Sequence, residues 1–235
     1  MAQHLQGPER AQAVRGMFTR IARQYDLMNR LMTGGMDLLW RKEVIHRAHL
    51  RPQSRLLDLG TGTGDLAREA LRQEPTCRVT AADFTLEMMR VGKQKYSQPQ
   101  QWCGADALNL PYPDNTFDAV VSGFLLRNVI HLDTALKEQV RVLRPLGWVV
   151  ALDTTRPQNN WFSPAIRFYM KRIIPLLGRF IAMAPDAYTY LPETSNAFLS
   201  AEELQAHFEQ AGLTQTGFRR LNFGTVAIHW GQKPA

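Results

Sequence analysis

The stretch Leu56-Leu57-Asp58-Leu59-Gly60-Thr61-Gly62-Thr63-Gly64-Asp65-Leu66 constrains this chain more than any other. It opens as a short apolar run, the pattern of a buried strand, and turns through three glycines at alternate positions. It then passes into helical spacing over Leu66 to Arg72. Strand, glycine loop and helix in that order bring backbone N–H groups up to a nucleotide-like ligand. A dinucleotide loop has the spacing G-x-G-x-x-G. Here Gly60 and Gly62 fit, but Asp65 stands at the third position and leaves D-x-G-x-G-x-G. Val79-Thr80-Ala81-Ala82-Asp83 reads as a second strand ending in a carboxylate. Asp83 follows Gly62 by about 20 positions, where a carboxylate accepts hydrogen bonds from both hydroxyls of a ribose.

Composition narrows the class further. A chain of 235 residues suits one large domain or two small ones. The net charge of +7 points to an acidic partner, a nucleic acid or an anionic membrane surface, or else to a basic surface serving solubility. Cys77 and Cys103 are too few for a disulfide framework or a four-cysteine zinc site, and the six histidines form no H-E-x-x-H, so no metal is expected. Met1 to Pro8 has no apolar signal region and no apolar run approaches the ~18 residues of a membrane span, which predicts a cytoplasmic protein.

Along the chain, residues 1–10 are polar and read as loose. Val14, Phe18, Ile21, Tyr25 and Met28 recur at helical spacing, Thr33-Gly34-Gly35 breaks the run, and a second helix continues through Trp40, Val44 and Ile45. Helical packing explains Phe18, Ile21 and Trp40, but not the polar groups interleaved in Tyr25-Asp26-x-Met28-Asn29. Further strands are read over Arg78–Asp83, Gln101–Ala105, Phe117–Ser122 and Trp148–Leu152, with helices over Thr85–Tyr96, Thr134–Leu143 and Leu204–Gly212. Phe218–Leu221 and Thr225–Trp230 read as a closing hairpin around Asn222-Phe223-Gly224. Ligands of open α/β sheets sit at the carboxyl ends of the strands, so the loops after Asp58, Asp83, Ala105 and Ser122 should line one crevice. Between Thr154 and Pro185 the chain is apolar and basic, with Arg156, Arg167, Lys171, Arg172 and Arg179 and no acidic residue. That stretch reads either as a lid over the crevice or as a surface facing an anionic membrane.

The glycine loop resembles the first motif of class I S-adenosylmethionine (SAM) methyltransferases. Several further patterns are similar to one group of these, the ubiquinone/menaquinone biosynthesis C-methyltransferases. Tyr25-Asp26-x-Met28-Asn29 with Met32-Thr33 and Trp40 resembles the family's N-terminal signature. Leu110 to Asp118 resembles its loop before strand four, and Leu126-Arg127-Asn128-Val129 its Leu-Arg-Asn-Val. Arg141 to Pro145 opens its second signature, and Ala187 to Thr194 resembles its Tyr-x-Tyr-Leu segment. The resemblance covers roughly residues 14 to 232. The chain departs from the pattern in having Asp37 for His, Asp106 for Asn, Leu146 for Gly, Asp153 for Glu and Thr155 for Ser. At strand four it has Ser122-Gly123-Phe124-Leu125, where the family would place Ser at 123 and Gly at 125.

The resemblance implies a Rossmann-like α/β fold: a seven-stranded, mostly parallel sheet with helices on both faces. One methyltransferase domain is expected, with a helical cap over 11–50, a SAM-binding core over 55–155, a helical lid or insertion over 156–200, and a C-terminal helix and hairpin over 201–235. The implied reaction is transfer of a methyl group from SAM to an aromatic carbon of a reduced, demethylated prenyl quinone. The alternative is C-, O- or N-methylation of another apolar small molecule. By resemblance, Asp58, Gly60, Thr61, Gly62 and Thr63 lie under the methionine part of SAM, with the Ser122-Gly123 backbone closing on it. Asp83 takes the ribose, Phe84 packs by the adenine, and Asp106 and Ala107 meet the adenine edge. Arg127, Asn128 and Tyr188 are the catalytic candidates, Arg127 to hold the phenolate. Tyr25, Met28, Arg127 and Tyr190 are the substrate candidates. Expected partners are the hydrophobic quinol, the inner face of an anionic membrane and a second copy in a homodimer. No nucleic acid is expected, because no Asn/Asp-Pro-Pro-Tyr/Phe follows strand four and no binding module is appended.

Overall fold

A computed structural model describes residues 7–95, 101–156, 172, 194 and 197–235. Seven strands form one sheet in the order β3-β2-β1-β4-β5-β7-β6. They are β1 (Arg55–Leu59), β2 (Arg78–Asp83), β3 (Gln101–Gly104), β4 (Phe117–Gly123), β5 (Leu143–Thr154), β6 (Thr214–Leu221) and β7 (Val226–Gln232). β1 to β5 pair in parallel, while β7 lies antiparallel between β5 and β6. The strand order reverses beside β1, so the crevice opens at the carboxyl ends of β1 and β4.

Seven helices appear among the described residues: α1 (Gly7–Ile21), α2 (Tyr25–Thr33), α3 (Met36–Arg47), α4 (Asp65–Gln73), α5 (Leu86–Lys95), α6 (Leu132–Val142) and α7 (Ala201–Gln210). Successive strand residues face opposite ways, which divides the core into two layers. Leu56, Val121 and Val150 pack with α3 and α4 on one face. Leu57, Val120 and Val149 pack with α6 and α7 on the other. Burying both faces accounts for strands that read as continuous apolar runs rather than alternating ones.

The expected sheet and its helices are present, with three differences. Gly7 to Arg10 are helical rather than loose, because α1 begins four residues before the first apolar position. The cap has a second break at residues 22–24, so Tyr25 starts a helix of its own. β5 begins at Leu143, earlier than its apolar run, since its first residues continue directly from α6 and pair with Phe117. The lid or membrane surface expected over 156–200 falls largely outside the described residues.

Candidate active site

The loop between β1 and α4 takes left-handed dihedrals at Gly60 (φ 67°) and Gly62 (φ 59°). A Cβ at Gly60 would come within 3.0 Å of Leu125 Cδ1, so glycine is required there for both dihedral and space. Asp83, at the end of β2, clamps this loop. One of its oxygens accepts from Gly62 N at 2.7 Å and the other from Thr85 N at 2.6 Å. Burial raises its carboxyl above the ordinary value, and these N–H donors oppose the shift. Asp58 is fully buried at the base of the loop. Its Oδ2 accepts from Thr61 Oγ1 at 2.5 Å and Ala67 N at 3.0 Å. Desolvation pushes its carboxyl up to about 7.

One cleft gathers most of the expected positions: Gly60, Gly62, Asp83, Phe84, Asp106, Ala107, Gly123, Tyr25 and Asn128 all line it. A smaller cavity beneath the glycine loop is lined by Asp58, Thr61 and Thr63, and shares Tyr25, Gly60, Gly62 and Gly123 with the cleft. Ser122 is buried beside them on β4. Met28 and Arg127 fall outside the lining of the cleft. Met28 is fully buried under α2 and is not among the residues lining the cleft, because it falls on that helix's inward stripe. Arg127 lies in the short helical turn Leu126–Asn128 with 7 % of its surface exposed. Its Nη1 meets Asp153 Oδ1 at 2.5 Å, its backbone N–H donates to Asp153 Oδ2 at 3.2 Å, and it does not line the cleft. The guanidinium thus anchors the turn that brings Asn128 to the cleft. Tyr188 and Tyr190 lie outside the described residues.

Several contributors were not legible beforehand. Ala11, Val14, Arg15 and Phe18 of α1 line the cleft, with the Arg15 guanidinium 5.3 Å from the Phe84 ring centroid. Helical spacing had marked Val14 and Phe18 only as packing residues. The polar part of the N-terminal signature grips the loop: Thr63 Oγ1 donates to Asp26 Oδ1 at 2.6 Å, and Lys95 Nζ to Asp26 Oδ2 at 2.8 Å. Arg30 reaches Asp65 at 2.8 Å and also pairs with buried Asp37, which Arg41 pairs with too. Arg68 meets Asp65 at 2.9 Å. Burial works to raise the Asp65 carboxyl, but Arg41, Arg30 and Arg68 outweigh it and leave it below its ordinary value. Asp37 sits between the Arg30 and Arg41 guanidiniums, a pairing a histidine would not reproduce.

Two buried polar atoms at this site, Asp58 Oδ1 and Ser122 Oγ, have no hydrogen-bond partner among the described residues. Unpartnered buried acceptors carry a desolvation cost that a bound ligand would offset. Together with the side-chain-free approach at Gly60 and Gly62, they fit the methionine part of SAM. No cluster of three or more metal-ligating side chains occurs among the described residues.

The sheet order, the glycine loop and the carboxylate ending β2 define a class I SAM-dependent methyltransferase. A profile of the ubiE/COQ5 methyltransferase family matches residues 6–233, and the chain belongs to that family. It is 44% identical to the ubiquinone/menaquinone biosynthesis C-methyltransferase UbiE of Desulfotalea psychrophila, over 94% of this chain and 90% of that one. It is 40% identical to the demethylmenaquinone methyltransferase of Roseiflexus castenholzii, over 96% and 95% of the two chains. Among solved structures it resembles the cyclase SpnF at a TM-score of 0.70 and 18% identity, covering 96% of each chain. It also resembles a SAM-dependent methyltransferase of Thermotoga maritima at 0.66 and 17%, covering 93% and 98%. At such identities the likeness is one of fold, and a cyclase among the neighbours shows how far chemistry varies on it.

Proposed function

We propose that this methyltransferase acts on a ring carbon of a reduced, demethylated prenyl quinone, a demethylmenaquinol or a ubiquinol precursor. The observation that carries the reading is the two-ended cleft. Asp83 and Asp106 give it one polar end, while Phe18, Phe124, Leu125, Val129 and Ile130 give it apolar walls suited to a flat ring. Two relatives named for quinone methylation over nearly their full lengths support the same substrate class.

Bound there, SAM supplies an electrophilic methyl group on a sulfonium. Asp58, Gly60, Thr61, Gly62, Thr63, Ser122 and Gly123 would hold its methionine part, and Asp83 its ribose. Phe84, Asp106 and Ala107 would hold the adenine. On the acceptor side, the ring carbon would be nucleophilic once the neighbouring phenol has given its proton to water, and the ring hydrogen displaced on methylation would leave as a proton by the same route. Burial raises the Tyr25 phenol, so its hydroxyl acts as a donor to the forming phenolate rather than as a base. The Asn128 amide, held by a 2.9 Å bond to the Phe124 carbonyl, orients the acceptor at the cleft wall. Tyr188 and Tyr190 remain substrate-side candidates by resemblance.

No helix of the described residues is long and apolar enough to cross a membrane. We place the enzyme peripherally, at the cytoplasmic face of an anionic bilayer, where a prenylated substrate resides. A homodimer would compete for the same exposed apolar surface and is tested with it below. The deciding experiment incubates the protein with labelled SAM and a panel of reduced demethylated quinones in detergent. Label on a ring carbon of the quinol is the expected result. Transfer only to catechol oxygens or amines would replace the quinol reading with that of another apolar acceptor.

A further inference from the structure

The α2–α3 hairpin has two faces of opposite character. Its inner face carries the polar grip on the glycine loop, through Asp26, Arg30, Asp37 and Arg41. Its outer face exposes Leu27, Leu31, Met36, Leu38 and Leu39, each between 42% and 58% exposed. Scattered exposed leucines need no explanation, but five large apolar side chains exposed between residues 27 and 39, on two consecutive helices, exceed scatter. The charges around them share one sign. Between residues 20 and 47 the exposed ionic side chains are Arg20, Arg23 and Lys42, and no carboxylate is exposed. Asp26 and Asp37 are consumed internally, and Glu43 is half-buried against Arg47.

We infer that this outer face docks the enzyme on an anionic bilayer. The five apolar side chains enter the headgroup–acyl boundary, and Arg20, Arg23 and Lys42 pair with lipid phosphates. Charge selects this occupant over two others. A second copy would bring the same three cations against each other. The chain's own stretch from Arg156 to Arg179 is also basic and has no acidic residue. Tyr25 lines the cleft from the first turn of α2, and Leu27, two residues on, points away from it on the same helix. The inference rests on the quinol reading for its purpose, but not for its physical basis.

The test uses the full chain with phosphatidylcholine vesicles, with and without phosphatidylglycerol. Wild type should sediment with the anionic vesicles and be released as salt rises. Leu31→Ser/Leu39→Ser should weaken sedimentation by about tenfold or more, as expected for removing two leucines from an apolar contact. Arg23→Glu/Lys42→Glu should lose binding to anionic vesicles selectively, and serves if the leucine variant does not fold. In both variants SAM affinity and turnover of a short-chain, water-soluble quinol should equal wild type, while KM for a vesicle-embedded long-chain quinol rises. Equal sedimentation of the leucine variant and wild type would overturn the inference. So would equal wild-type binding to neutral and anionic vesicles, or a lipid-free dimer that the leucine substitutions make monomeric. Failure to methylate the soluble quinol would instead sink the quinol reading and leave the sedimentation result standing.

Discussion

The pair Arg127–Asp153 separates a structural from a catalytic arginine. Both side chains are nearly inaccessible, at 6% and 1% exposed. Removing one partner of a buried ion pair typically costs 3–5 kcal/mol, because a charge is left uncompensated. Here the two sides are unequal. In Arg127→Met, Asp153 keeps the backbone N–H groups of Thr154, at 2.7 Å, and of residue 127, at 3.2 Å. A carboxyl can also discharge itself by binding a proton. The loss should sit near the low end, about 3 kcal/mol. In Asp153→Asn the guanidinium keeps its charge, since arginine cannot be deprotonated in a protein, and Nε is already without a partner among the described residues. That loss should be larger, about 4–5 kcal/mol. The double variant should lose less than the two singles combined. At about 2–4 °C per kcal/mol for a chain of this size, Arg127→Met should melt roughly 6–12 °C below wild type, and Asp153→Asn lower still. Urea unfolding of all four proteins gives the cycle, and kcat on a soluble quinol is read in parallel. If Arg127→Met is as stable as wild type while kcat collapses, the arginine acts on the substrate and the anchoring role is wrong.

Three further outcomes are expected. Asp83→Asn should weaken SAM binding about tenfold or more by calorimetry, because ribose hydroxyls and the Gly62 N–H lose a charged acceptor. Asp58 titrates near 7 through burial, so in the ligand-free protein its stability contribution is greatest below the ordinary carboxyl value and is lost as pH rises through about 7. A cationic amino acid moiety selects the ionised form, so SAM affinity should fall as pH drops from 8 to 6, and Asp58→Asn should remove that dependence. Gly60→Ala should cost about 1–2 kcal/mol for its left-handed dihedral, plus the displacement of Leu125, read as a lower melting temperature with weakened SAM binding.

The sequence by itself determined the elements whose signals are local. Alternating glycines after an apolar run specify a strand, a left-handed turn and a helix within about a dozen residues, and Asp83 follows at the end of the next strand. The right-handed crossovers of the parallel strands follow from the same rhythm, whereas the strand order was decided by the tertiary structure. Cleft residues that end strands were therefore readable: Gly60, Asp83, Asp106 and Gly123 meet at the carboxyl edge because each terminates or follows a parallel strand. The tertiary structure alone decided which polar groups are spent on one another. Asp153 lies 26 positions from Arg127, and Asp26 lies 37 from Thr63, distances over which residue type and spacing carry no pairing information. Thus the Arg127 guanidinium is held by Asp153, and Asp26 of the N-terminal signature holds Thr63 of the glycine loop. Periodicity likewise shows that a helix has a buried stripe, but not which neighbour covers it. Met28 consequently went inward while Leu27 and Leu31 stayed exposed, and α1 came to rest across the cleft: packing against elements distant in the chain chose among faces that the spacing left equivalent.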